Sequence, residues 1–352
     1  MSSSYEQIAG LPLDVEGYSL EGLEHEFPAF TRYSTLIRLA GGGEEGVGED
    51  VVYDGVDHMN LQAAGSDYPL AGSWTIDSFS RRLRELDLFP DPPVRAVSRR
   101  YRRWAFESAA LDLALRQAGT SLAKRVGRPL RPLTYVVSMR LDGEPETSAR
   151  LLRLRATYPG TRFKLDPTNT WREELIDELA GLGCVDSLDV KGQYKGTAVD
   201  VETDPELYAR LCATFPEAWL EDPDLNDETR AVLEPHRERV TWDAPIHSVD
   251  DILALAWEPR MVNIKPSRFG SLRELFDAYD FCASRGIGAY GGGQTELSVG
   301  RDHIQYLAAL FHPDTPNDVA PREFNYADVP PGLPESPLTL TPAATGFRLA
   351  DS

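Results

Sequence analysis

From Tyr135 onward, short apolar runs alternate with longer stretches in which apolar residues recur at helical spacing. Short apolar runs read as buried strands and the longer periodic stretches as amphipathic helices. Strands are expected over 135–141, 161–165, 185–190, 239–243, 261–264 and 287–290. A further strand runs through Trp219-Leu220 into Glu221, and a last short one covers 317–320. Helices are expected between them, over 147–158, 173–182, 205–215, 249–256, 272–284 and 300–310. Strand-helix alternation implies a parallel sheet with right-handed crossovers, and eight such strands can close into a barrel.

The first 130 residues follow another pattern. Ser34 to Leu39 reads as a strand, Gly41-Gly42-Gly43 as a turn, and Val47 to Tyr53 as the returning strand. A loop rich in Gly, Asp and Pro then runs through Trp74. Ile76 to Leu88 is expected to be helical, with Asp77 as its cap and Asp91-Pro92-Pro93 as its breaker. Ala105 to Ala118 reads as a buried helix ended by Gly119. The expected organisation is therefore an α+β domain over 1–130, followed by a barrel over 131–329. The Pro-rich tail, 330–352, becomes β-like near Leu338 and is expected to pack back on the first domain.

Composition narrows the function classes. The chain of 352 residues is 41% hydrophobic and 26% charged, which fits a packed globular protein. Its net charge of -20 argues against nucleic acid and anionic membrane surfaces as partners. It does not exclude an anionic substrate, because a local cation can dominate the field at a site. Cys184, Cys212 and Cys282 lack metal-ligand or redox spacing, so a reducing, cytoplasmic setting is expected. No signal peptide or membrane span is expected from the start of the chain or its apolar runs. Symmetric self-association is expected of a barrel this size.

Candidate chemistry lies where the barrel strands end. Asp189, Glu221 and Asp243 each close an apolar run, and Lys164 and Lys265 close the runs on either side of that set. Charges at the carboxyl ends of successive parallel strands converge on one mouth. Three carboxylates there suit a hard divalent cation, Mg²⁺ or Mn²⁺. Such a cation makes the α-proton of a substrate carboxylate removable, and a lysine whose pKa is lowered can take it. Two other readings stay open: a Schiff-base lyase on a (β/α)₈ barrel with Lys265 as nucleophile, and a catalytically silent binding barrel.

The set resembles the enolase superfamily, and within it the muconate-lactonizing subgroup. Arg162-Phe163-Lys164 is similar to that family's Lys-x-Lys motif, and Glu221-Asp222-Pro223 to its Glu-x-Pro. Asn263 to Gly270 and Gly291 to Arg301 are similar to runs in o-succinylbenzoate synthases and N-acylamino acid racemases. Phe106 to Leu113 resembles the capping domain's Glu-x-Ala-Leu-x-Asp helix. The resemblance implies a modified (β/α)₇β TIM barrel with an N-terminal capping domain. It implies Lys164 and Lys265 as acid and base, and Asp189, Glu221 and Asp243 as Mg²⁺ ligands. The implied substrate is a small carboxylate, racemised, epimerised or carried through β-elimination.

The chain also departs from the pattern. Asp189-Val190-Lys191 stands where the family has Asp-x-Asn, which brings Lys191 to the mouth as a proton-transfer group, a substrate anchor or a partner of Asp166. Asp243-Ala244-Pro245 replaces Asp-Glu-Ser and loses that glutamate's electrostatic help. Lys191, Arg268, Glu296, Asp166 and Arg162 are the candidate substrate-binding residues. Gly291-Gly292-Gly293 allows close backbone approach, and its amides precede a helix able to meet an anion. Glu26 to Arg32 is the candidate specificity loop of the capping domain.

Overall fold

The computed structural model describes residues 3–27, 30–65, 67–197 and 199–350. The capping domain is built on an antiparallel sheet of β2 (Gly17–Glu26), β3 (Thr31–Gly41) and β4 (Glu44–Asp50), with β1 (Pro12–Val15) paired to β5 (Gly72–Thr75) beside it. The Ser98–Gln117 helix is its spine, longer by two turns at its start than the apolar run suggests. The helix lies close against β4 because that strand carries glycines there. A Cβ at Gly46 would lie 2.2 Å from the Ala109 carbonyl oxygen, and one at Gly48 would lie 2.0 Å from that of Ala105.

Two expectations for this domain are corrected. Gly55–Ala64, read as loop, is a helix whose only fully apolar buried anchor is Leu61, so its periodic signal is weak. The cap of the Ile76–Glu85 helix is Thr75, not Asp77: Thr75 and Ser78 form a reciprocal capping box. Asp77 instead accepts from Tyr5 (3.2 Å) and Arg273 (2.9 Å), joining the domain to a barrel helix.

The barrel strands are β6 (Val137–Met139), β7 (Phe163–Leu165), β8 (Val185–Asp189), β9 (Trp219–Glu221), β10 (Val240–Thr241), β11 (Met261–Ile264) and β12 (Gly288–Gly291). β6 to β10 are parallel neighbours in order, as are β11 and β12. The Asn263 amide bonds the Trp242 carbonyl (2.9 Å) and joins β10 to β11. The eighth position is the Asn317–Asp318 segment, bridged to Gly292 on one side and Tyr135 on the other. So short a strand closes the ring because Asn317 staples it. Its side-chain oxygen accepts from Gly291 N, and its amide donates to the carbonyls of Thr134, His312 and Thr315. This is the α/β capped-barrel architecture expected.

The tail touches both segments, the capping domain and the barrel. Leu338 bridges Leu133, Gly346 bridges Ser121, and Asp112 on the spine helix accepts from Phe347 N and pairs with Arg348. Cys184, Cys212 and Cys282 are buried and unpaired. Among the described residues no helix is long and apolar enough to cross a membrane.

Under the tail, His303 is fully buried, stacked on Phe347 at 4.0 Å, with neither ring nitrogen hydrogen-bonded. Burial pushes its pKa down to about 3, and that of His312 to about 4. A histidine whose folded pKa is lowered stabilises the fold fully above its unfolded pKa of about 6.5. That contribution is lost as pH falls, at about 1.4 kcal/mol per pH unit for each ring. Thermal unfolding from pH 7 to 4 should show this slope, and His303→Phe should flatten it while preserving the stack. An unchanged slope would remove His303 from the acid response.

Candidate active site

In the eight-membered ring, β7 and β11 stand four places apart in either direction. Lys164, within β7, and Lys265, just past β11, therefore face each other across the mouth. Between them, β8, β9 and β10 deliver Asp189, Glu221 and Asp243. All five side chains are buried.

The ammonium of Lys164 donates to Glu221 and lies 3.3 Å from Asp189 and 3.8 Å from Asp318. Burial lowers its pKa, but the Glu221 and Asp189 carboxylates outweigh burial and hold it well above the ordinary lysine value. Lys265 donates to Asp243 Oδ2 at 2.8 Å; burial again opposes and Asp243 again prevails, raising its pKa. The neighbouring carboxylates thus favour the charged form of both lysines. Burial raises Asp243, and the Arg268 and Lys265 charges more than reverse it, leaving Asp243 far below the usual range.

The donor set fits a divalent cation. Asp189, Glu221 and Asp222 each offer a carboxylate oxygen within 4.8 Å of the others. Donors around one octahedral Mg²⁺, each at about 2.1 Å, lie at most about 4.2 Å apart, so small adjustments suffice. This compact group contains Asp222 where the sequence points to Asp243. Both Asp222 oxygens, however, already accept backbone amides, from Asp243 (2.8 Å) and Ala244 (2.9 Å). With a left-handed backbone (φ 52°) and a pKa pushed up to about 7 by burial and the charges of Asp243 and Asp189, Asp222 clamps the ends of β9 and β10 together. Asp243 keeps a buried oxygen, Oδ1, with no hydrogen-bond donor, although Arg268 lies 3.3 Å away.

Of the candidate substrate-binding residues, three join this group. Lys191 pairs with Asp189 and with Asp166, the latter at 3.2 Å. Arg268 donates to the Asp243 carbonyl (2.6 Å) and to Tyr194 Oη (3.2 Å). Arg162 and Glu296 are corrections. Arg162 precedes β7, at the other end of the strand, and its guanidinium is about half exposed and pairs with Asp186 and the Gly183 carbonyl. Glu296 accepts Gln294 N at 2.6 Å and pairs with Arg301 at 2.9 Å, which ties the glycine loop to its following helix. The helix start does meet an anion, but it is the protein's own. Glu49 of β4 reaches over from the capping domain and accepts the amides of Leu297 (2.7 Å), Ser298 (3.0 Å) and Gly300 (2.9 Å).

Gly292 serves the lysine beside it. A Cβ there would sit 2.4 Å from Lys265 Cε and 2.9 Å from Asn263 Nδ2. In the candidate specificity loop, Pro28 and Ala29 lie outside the described residues. Arg32, at its end, is buried and donates to the carbonyls of Val51, Val52 and Thr295.

Four further residues stand at the mouth, three outside any motif and the fourth, Asn263, opening the Asn263 to Gly270 run without an assigned role. Tyr290 donates to Glu221, Tyr194 donates to Asp243 Oδ2 (3.0 Å), Asp318 flanks Lys164, and Asn263 is buried with both side-chain polar atoms unbonded. Tyr290 and Asp318 sit where barrel strands end, the same signal that exposes the carboxylates. Tyr194 lies in an irregular loop with no such signal.

Comparison with known proteins agrees with this architecture. The family model described as the domain of unknown function (DUF8230) C-terminal domain matches residues 129–326, and its N-terminal counterpart matches residues 6–125. The chain is similar to an o-succinylbenzoate synthase of Geobacillus stearothermophilus, 29% identical over 61% of this chain and 58% of that protein. It therefore spans less than two thirds of that relative's length. It is also similar to an N-succinylamino acid racemase of Thermus thermophilus, 25% identical over 81% of this chain and 77% of that one. Among solved structures, an enolase-superfamily member from Listeria innocua matches with TM-score 0.66 at 17% identity, covering 90% of this chain and 88% of that one. A muconate cycloisomerase from Pseudomonas fluorescens matches with TM-score 0.61 at 18% identity, covering 88% and 87%.

Proposed function

The chain belongs to the DUF8230 family and has the enolase-superfamily fold, and from that premise we propose that it is a divalent-cation-dependent enzyme removing the α-proton of a carboxylate substrate. The observation that carries this reading is two buried lysines opposed across a ring, with a carboxylate set between them.

Asp189, Glu221 and Asp243 would hold Mg²⁺ or Mn²⁺. The cation, when bound, draws charge from a substrate carboxylate oxygen and lowers the cost of the enediolate that forms when the α-proton leaves. Every other part belongs to the chain. One lysine, made neutral once a bound cation would offset the carboxylate charge that holds its ammonium, takes the α-proton onto Nζ from its face of the carbon. The other either returns a proton to the opposite face, inverting the centre, or stays charged against the enediolate while a β-substituent departs with its electron pair. Tyr290 and Tyr194 hold Glu221 and Asp243 in place through their hydroxyls. Lys265 works from the space that Gly292 leaves. The names of the two relatives, a synthase and a racemase, are compatible with either outcome.

The test is proton NMR in ²H₂O with Mg²⁺ or Mn²⁺ and a panel of N-acyl amino acids, dipeptides and other small carboxylic acids. Loss of an α-proton signal, abolished by EDTA and restored by the cation, is the expected result. Exchange that persists in EDTA would sink the proposal.

A further inference from the structure

Lys191 grips one carboxylate from two sides. Its backbone N–H donates to Asp189 Oδ1 at 3.2 Å while its ammonium donates to Asp189 Oδ2, so a single residue covers both oxygens. The left-handed backbone at Lys191 (φ 54°) turns the side chain back over its neighbour. An ordinary side chain rarely adopts that conformation, and it persists only where its surroundings hold it. The same ammonium has a second seat 3.2 Å away on Asp166, two residues beyond Lys164 and outside the carboxylate set. Asp166 Oδ1 is buried with no hydrogen-bond partner, so that seat has acceptor capacity to spare. The ring of Tyr194, 5.2 Å from the ammonium, faces it as well.

We propose that Lys191 is a tethered competitor for the cation at Asp189, and that Asp166 is the seat to which it withdraws when a divalent ion takes that carboxylate. The proposal rests on the reading of the mouth as a cation site and adds how that site sets its affinity. Asp189 cannot give its Oδ2 lone pairs fully to an ion while an ammonium holds them. Two cations on one buried carboxylate repel each other strongly at a low effective dielectric constant. Asp166 resolves the conflict by offering the ammonium a full ion pair nearby. Affinity for the ion is then reduced by the free-energy cost of moving Lys191 from Asp189 to Asp166. It is weaker than the carboxylates alone would give, and adjustable through a residue that is not a ligand.

The experiment is calorimetric titration of the full chain with Mn²⁺ alone, which reads binding without turnover. Lys191→Met should bind Mn²⁺ tighter by about tenfold or more, the scale of a close charge pair at a buried site. Asp166→Asn should bind it more weakly, because the ammonium then has only Asp189. In the double variant the Asp166 effect should vanish and the affinity should match Lys191→Met. Lys191→Arg keeps the charge and should stay near wild type, which separates charge from packing. Thermal melts of each variant in EDTA exclude loss of fold as the source. Wild-type binding with an unchanged or weakened Lys191→Met would overturn the inference alone. No Mn²⁺ binding by wild type or Lys191→Met would overturn both the inference and the cation-dependent function.

Discussion

Lys164→Ala and Lys265→Ala should each lose solvent deuterium incorporation by about 10²- to 10⁴-fold, the range that a positioned acid or base contributes. The opposition of β7 and β11 makes the loss depend on the hand of the substrate. If the outcome is inversion, each variant should fail to take the proton from one enantiomer. It should keep measurable exchange with the other, whose α-hydrogen faces the surviving lysine. If the outcome is elimination, one variant should lose proton removal from its only productive face. The other should be slowed through loss of charge against the enediolate. Deuterium uptake measured separately on each enantiomer distinguishes these cases. Exchange retained by both variants on both hands would remove the lysines from the chemistry. Each ammonium sits on a carboxylate, so calorimetric Mn²⁺ binding should accompany the assay. A variant that binds the ion yet does not exchange has lost a proton-transfer group and not the site.

Glu49→Ala should destabilise the chain by about 3 to 5 kcal/mol, as expected when a buried acceptor leaves several amides without a partner. Three backbone N–H groups of the segment 297–300 converge on this carboxylate, and Glu49 is 1% exposed, so water cannot replace it without opening the contact. The bonds cross from the capping sheet to the start of the Val299–Phe311 helix. The loss should therefore appear as loosened docking as well as a lower denaturant midpoint, with faster amide exchange at Leu297, Ser298 and Gly300. Glu49→Gln, which keeps one acceptor oxygen, should fall between. A midpoint shift below about 0.5 kcal/mol, the usual size of a surface substitution, would show that the contact does not hold the domains together.

Much of this molecule is legible before any coordinates. Barrel strands announce themselves as short apolar runs because both faces are buried, and the acid or lysine closing each run marks the end that gathers at the mouth. The eighth strand was the weakest signal, since Asn317 closes the ring through its side chain and not through a run of paired backbone. In the capping domain, Gly55–Ala64 was hidden because its buried face includes Asp57 and His58, whose partners are distant in sequence. Strand-end register brings Lys164, Asp189, Glu221, Asp243 and Lys265 to one mouth, and the structure gathers them there. It misled at Arg162, because two residues along a short strand is enough to leave the mouth for the opposite rim. Tyr194 could not be read at all, since a loop's path decides where its hydroxyl falls.

Gly292 carries a consequence for how such a site can change. The position of the Lys265 amine is set from the neighbouring strand, by a side chain that is not there. A single methyl group at that point would intrude on Cε and on the Asn263 amide without removing any charged or hydrogen-bonding group from the chain. On the proposed chemistry, one of the two lysines can therefore be displaced through a residue that has no functional group, with every carboxylate of the mouth still present.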